Sequence, residues 1–147
     1  MNALEKKYSP PIVDEESRPF WTRAREGGFL IKHCRECDQP HWYPRSRCPF
    51  CMSDDTVWKE AAGTGVIYSY SVMRRSTEPY IVAFVTLDEG PRVLTNIVEC
   101  DPNNLRIGMR VVMAFRHPEN DDGETAIVVF RPAMSSETGT KEEASNG

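Results

Sequence analysis

A mainly β protein, with an N-terminal helix, a four-cysteine ribbon and a small closed barrel, is what three features of this sequence predict. Four cysteines stand in two pairs, Cys34-x2-Cys37 and Cys48-x2-Cys51, with ten residues between the pairs. Five short segments rich in Val, Ile and Phe follow within about seventy residues. An aromatic pair, Phe20-Trp21, precedes both in a stretch with helix signals at each end. The chain then divides into an arm and helix at 1–28, a ribbon at 29–62, a barrel at 63–133 and a disordered tail at 134–147.

Residues 1–13 hold Pro10 and Pro11 and little periodicity, which predicts an extended arm. Ser17 offers an N-cap, and Pro19 lies near the first turn, where its missing N–H costs nothing. Phe20, Trp21 and Ala24 fall along one side, and Gly27-Gly28 ends the helix. A helix of about ten residues is not stable alone. It must pack on its own domain or on a partner protein.

Phe29-Leu30-Ile31 leads as a strand into the first cysteine turn, Trp42-Tyr43-Pro44 returns, and Val57-Trp58-Lys59 leaves the ribbon. Each cysteine pair puts two thiols on one tight turn, and the spacer is long enough for a hairpin that brings the turns together. A tetrahedral metal needs four such ligands at about 2.3 Å for Zn–S. Cys34, Cys37, Cys48 and Cys51 therefore predict a structural zinc site, more compact than the four-cysteine pattern with a spacer of about 15–20 residues. Iron is a chemically allowed occupant, which would make the chain an electron carrier. Two disulfides in a secreted module is the competing account. The opening residues lack the apolar run of a secretory signal, so the expected compartment is the reducing cytoplasm, where paired cysteines bind metal.

From Gly63 onward the helix period disappears. Gly65–Met73 alternates, with Val66, Tyr68, Tyr70 and Val72 on one face and Ser69 and Ser71 on the other. Tyr80–Leu87, Arg92–Val98, Arg110–Arg116 and Thr125–Arg131 are the other four strands. Asp88-Glu89-Gly90-Pro91 is a turn, and Asp101–Gly108 a longer connection with Leu105 and Ile107 as inward anchors. Five such strands suit a closed barrel of OB-fold type, which leaves no exposed edges.

The formal charge of −4 argues against a dedicated nucleic-acid binder. No apolar stretch is long enough to span a membrane as a helix. No phosphate loop, nucleophile elbow or dinucleotide fingerprint is present, so no catalytic residue is assigned.

Several segments, in order, carry a resemblance: Arg18-Pro19-Phe20-Trp21, Cys34-Arg35-Glu36-Cys37, and Tyr43 to Cys51. Gly63-Thr64-Gly65-Val66-Ile67-Tyr68-Ser69-Tyr70, Arg106 to Val111 and Phe130-Arg131-Pro132 continue it. Together they resemble the DUF35 family, acyl-CoA-associated OB-fold proteins with a rubredoxin-like zinc ribbon, over residues 10–133. The resemblance implies a subunit that is not catalytic alone. It would bind a thiolase-like enzyme, a lipid-transfer-type aldolase or a MaoC-like hydratase, in a hetro-oligomer that acts on CoA thioesters. The barrel would complete or bridge the partner's CoA site, so the CoA thioester is shared with the partner. A benzoylsuccinyl-CoA thiolase of aromatic degradation is one candidate partner. The chain departs from the family pattern where glycine usually follows each cysteine pair, since Asp38 and Met52 stand there. Asp enters the left-handed region readily and Met seldom, which leaves either a strained Met52 or a different second knuckle.

Given that resemblance, Arg74, Arg75 and Arg92 at strand ends are candidates to hold CoA phosphates, which guanidinium groups bind in bidentate fashion. Solvated strand ends are the bland account. His33 and His41 flank the ribbon, but four cysteines already fill a tetrahedron, so both are placed around the site rather than in it. Cys100 reads as a buried inert thiol. The runner-up function is a single-strand nucleic-acid-binding OB protein that stacks bases on Tyr68, Tyr70 and Tyr80.

Overall fold

The computed structural model describes residue 4, residues 6–120 and residues 123–133; the tail expected at 134–147 lies outside the described residues. The architecture is mainly β, with one helix, a three-stranded ribbon and a closed five-stranded barrel.

Helix α1 spans Arg18–Arg25, two residues shorter than the pattern suggests. Ser17 occupies the cap position but does not cap with its side chain. Its hydroxyl donates instead to Asp14 Oδ1 at 2.7 Å, which turns the arm into the helix. The C-terminus closes as a Schellman turn: Gly27, at φ 96°, donates to the Ala24 carbonyl and Gly28 to that of Arg23. Phe20 and Ala24 are fully buried and Trp21 is half-buried. The helix therefore packs on its own chain through Phe20. That ring meets Phe29 at 5.7 Å and Trp42 at 4.7 Å between centroids.

The ribbon orders its strands β2-β1-β3, with β1 at Leu30–Cys34, β2 at Pro40–His41 and β3 at Thr56–Glu60. The barrel holds β4 (Thr64–Met73), β5 (Tyr80–Leu87), β6 (Arg92–Ile97), β7 (Arg110–Arg116) and β8 (Ile127–Pro132). The order is β4-β5-β6-β8-β7, and β7 pairs with β4 to close it. Only β6 and β8 run parallel. One hydrophobic core runs through both parts, because Phe29 at the start of the ribbon meets Phe130 of β8 at 6.2 Å.

The face assigned to β4 needs correction. Ile67 pairs with Val85 and Ser69 with Phe84, so a bulge at Tyr68 inserts one extra residue. Before it, Gly65 and Ile67 face inward opposite Leu87 and Val85; after it, Tyr70 and Val72 take that parity opposite Ala83 and Ile81, with Val72 packed on the core and Tyr70 left partly exposed, its hydroxyl donating to the Leu105 carbonyl. Val66 and Val72 thus lie on opposite faces. Gly65 is required by close approach, since a Cβ there would collide with the Thr86 carbonyl. Leu105 is buried as expected, but Ile107 is 69% exposed. It sits at the tip of a turn whose next residue, Gly108, donates to the Ile67 carbonyl, and that bond directs the Ile107 side chain outward.

Candidate metal centre and the surfaces around it

The two cysteine turns are built alike. Cys34 N–H donates to the Gln39 carbonyl and Cys48 N–H to that of Ser53, which folds each pair back on itself. Cys37 N–H then points at Cys34 Sγ at 3.5 Å, and Phe50 N–H at Cys48 Sγ at 3.3 Å. At Cys48 such donors favour the thiolate form. At Cys48 burial opposes ionisation, but the backbone N–H groups of Cys51 and Phe50 prevail and hold its pKa at about 7. Burial, with the hydrogen bond its thiol makes to Cys48 next, pushes the Cys37 thiol up to about 12.

The four Sγ atoms lie within 4.8 Å of one another, with Cys34–Cys51 and Cys37–Cys48 both at 3.6 Å. A regular tetrahedron with Zn–S bonds of about 2.3 Å has sulfur–sulfur edges of about 3.8 Å. A disulfide would need about 2.05 Å, and all five cysteines are free thiols. The donor set fits a closed structural site with no position left for substrate or water. Zinc bound there supplies a cross-link between the two turns, and the residues around it supply orientation.

Asp38 and Met52 both take left-handed backbone, at φ 60° and 68°. The second knuckle keeps its geometry, and Met52 carries the strain. Asp38 uses its position further, since its Oδ1 pairs with His33 Nε2 at 2.8 Å. Left-handed backbone costs a residue with a Cβ about 1–2 kcal/mol, and Met52 is 62% exposed, so it has little packing to lose. Met52→Gly is therefore expected to raise the thermal midpoint of the zinc-loaded chain by roughly 2–4 °C. A lower midpoint would show that the Met52 side chain stabilises the knuckle instead.

Neither histidine joins the sulfur cluster. His41 is buried opposite Lys32, and burial first, then the Lys32 charge, lowers its pKa. Lys32 is itself buried, with its Nζ 3.1 Å from Thr56 Oγ1 and 4.7 Å over the Trp58 ring. Nothing in the sequence marked Lys32 as an inner residue; its place follows from strand pairing, with Trp58 and His41 as its cross-strand neighbours. Cys100 is buried, and burial raises its thiol, as suits an inert position.

The three candidate arginines are not brought together. Arg92 opens β6 opposite Thr86, whereas Arg74 and Arg75 follow Met73, which pairs with Tyr80. Thr86 and Tyr80 are six positions apart on β5, which separates the two groups by about 20 Å. Arg74 and Arg75 are exposed on the hairpin tip. The Arg92 guanidinium lies 3.8 Å over the Tyr68 ring.

Sequence reasoning missed an exposed apolar ridge. Leu94 and Phe84 pair directly across β6 and β5 on the outer barrel face, 62% and 43% exposed. The signal was present, since Phe84 and Leu94 occupy the outward parity of strands whose alternate residues are the core.

A zinc ribbon docked on a five-stranded OB-type barrel defines the class. Residues 21–57 match the ChsH2 rubredoxin-like zinc ribbon domain and residues 58–116 the ChsH2 C-terminal OB-fold domain. The chain belongs to the DUF35 family. It is similar to a DUF35 domain-containing scaffold protein of Methanothermobacter thermautotrophicus, 36% identical over 104 residues, covering 66% of this chain and 77% of that protein. A probable enoyl-CoA hydratase alpha subunit of Thermomonospora curvata is 36% identical over 132 residues, 86% of this chain. The chain spans 40% of that relative's length. Among solved structures, one titled Ltp2-ChsH2(DUF35) aldolase matches with a TM-score of 0.73 and 35% identity, covering 85% of this chain and 100% of that one. A DUF35 protein from Sulfolobus solfataricus, 12% identical with a TM-score of 0.60, shares the fold over 82% of this chain and 87% of its own.

Proposed function

We propose that this chain is a non-catalytic, zinc-stabilised subunit that partners a thiolase-like or lipid-transfer-type aldolase enzyme acting on CoA thioesters. The observation that carries the reading is the similarity over nearly the whole folded part, at 35–36% identity, to a hydratase alpha subunit and to the DUF35 chain of an aldolase. The closed four-thiolate site supports a structural rather than catalytic metal. A benzoylsuccinyl-CoA thiolase is retained as one form of the partner. Reconstitution tests the reading: the catalytic subunit made alone should regain solubility or turnover when this chain is added. A catalytic subunit fully active without it, and unable to bind it, would contradict the proposal.

Within that complex the barrel completes or bridges the partner's CoA site. A single phosphate group meets either the Arg74–Arg75 pair or Arg92, given their separation along β5. Losing one charge-assisted hydrogen bond costs about 1.5–3 kcal/mol, or roughly tenfold to more than a hundredfold in binding. The Arg75→Ala complex should therefore assemble normally and show a raised KM for the CoA substrate, with kcat little changed. Unchanged KM after substitution at all three arginines would make the barrel a scaffold only.

Single-strand binding is the second reading, and it rests on exposed Tyr68 and Tyr70. Stacking of the Arg92 guanidinium over Tyr68 covers a ring face that a base would need. Salt-sensitive oligonucleotide binding by the purified chain would favour it.

A further inference from the structure

Helix, ribbon and barrel meet around a surface hollow of about 150 Å³. Phe20, Phe29 and Phe130 are its fully buried aromatic lining, while Tyr43 from the ribbon and Leu94 from β6 are its exposed members. Leu94 also lines a second hollow of about 170 Å³ with Phe84, so the two hollows adjoin at Leu94. The outward positions of β5 and β6, from Val82 to Thr86 and from Arg92 to Asn96, carry no carboxylate. Their one charge is Arg92. Interface cores show this composition: few charges, with aromatic residues and arginine enriched.

We propose that the hollow and the Phe84–Leu94 ridge are the seat of the catalytic subunit, which inserts one Leu- or Phe-sized side chain between Tyr43 and Leu94 and sets a carboxylate against Arg92. The inference rests on the subunit reading above and locates its interface on this chain. A cavity of this volume takes one benzene-sized group, which is the dimension of a side-chain anchor rather than of a CoA molecule. Closure of the barrel removes strand addition to β4–β8 as a docking mode, so a partner that docks on the barrel must use a face. The chain's own C-terminal segment is a poor occupant, since residues 134–147 hold only Met134 and Ala144 as apolar side chains. In the Thermomonospora curvata relative the matched part is 40% of the chain, so there this module shares its chain with further sequence.

The test places a photo-crosslinking p-benzoylphenylalanine at Phe84, at Leu94 or at Ile107, in the full chain expressed in its source organism. Ile107 is the control, because it is exposed and apolar but lies on the β6–β7 connection, off the ridge. Crosslinks from 84 and 94, but not 107, to an enzyme that acts on CoA thioesters are the expected result. Crosslinks to that enzyme from 107 alone would overturn the interface and leave the subunit reading standing. Crosslinks from the ridge to a second copy of this chain would also overturn it. A chain that crosslinks to no other protein from any position, and purifies alone, would overturn both. Leu94→Asp gives an independent readout: zinc content and thermal midpoint should hold, while affinity for the crosslinked enzyme falls about thirtyfold or more, the effect of a hot-spot residue. Undiminished affinity would contradict the proposal.

Discussion

Cys34→Ser or Cys48→Ser is expected to unfold the ribbon and leave the chain insoluble or unable to join a partner. Both side chains are completely buried, and each anchors one of the two turns. Structural zinc contributes on the order of 10–16 kcal/mol of apparent binding free energy at neutral pH. That is comparable to the roughly 5–15 kcal/mol by which a whole domain is stable, so packing elsewhere does not offset its loss. The damage does not stop at the ribbon, because Phe29 and Ile31 belong to the same core as the barrel's Ile97 and Phe130. Circular dichroism and metal analysis of the variants check this. A folded chain holding less than about half an equivalent of zinc or iron would remove the metal from the account.

Phe20→Ala should produce the second-largest effect. Phe20 is 2% exposed and touches aromatic rings of the helix, the ribbon and its return, Trp21, Phe29 and Trp42, at 4.7–5.7 Å. Removing a buried Phe side chain costs about 3–5 kcal/mol when the cavity cannot collapse. Three elements fixed by other contacts surround this one, so collapse is restricted. The expected result is a thermal midpoint lower by roughly 10 °C or more, with a smaller loss for half-buried Trp21→Ala. A larger loss at Trp21 would reverse the assignment of which ring anchors the helix.

The cysteine spacing made the ribbon legible because a metal site is local: two tight turns carry it whatever the rest of the chain does. The five strands were legible for a similar reason, since β-branched residues bounded by Gly, Pro and Asp mark them one by one. What the sequence could not show was parity across a bulge. Val66, Tyr68, Tyr70 and Val72 read as one face, and only pairing with β5 reveals the extra residue at Tyr68. The trace that bulge leaves is the step of three, rather than two, between Ile67 and Tyr70 on the core side. Ile107 was misread because its direction is set by the bond from Gly108 to Ile67, a contact between distant segments. The spacing of the candidate arginines was hidden similarly, since Arg75 and Arg92 lie 17 positions apart in sequence yet at opposite ends of β5. Phe20 and Trp21 read as an anchor awaiting a cover. Phe29 and Trp42 cover Phe20 from within the chain, and Phe130 backs Phe29.

Native mass spectrometry of the tagged chain, isolated from its source organism under non-denaturing conditions, tests the central claim most directly. The account predicts a hetero-oligomer in which this chain carries one zinc and accompanies an enzyme that acts on CoA thioesters. A zinc-loaded chain found only alone, or only with copies of itself, would contradict it.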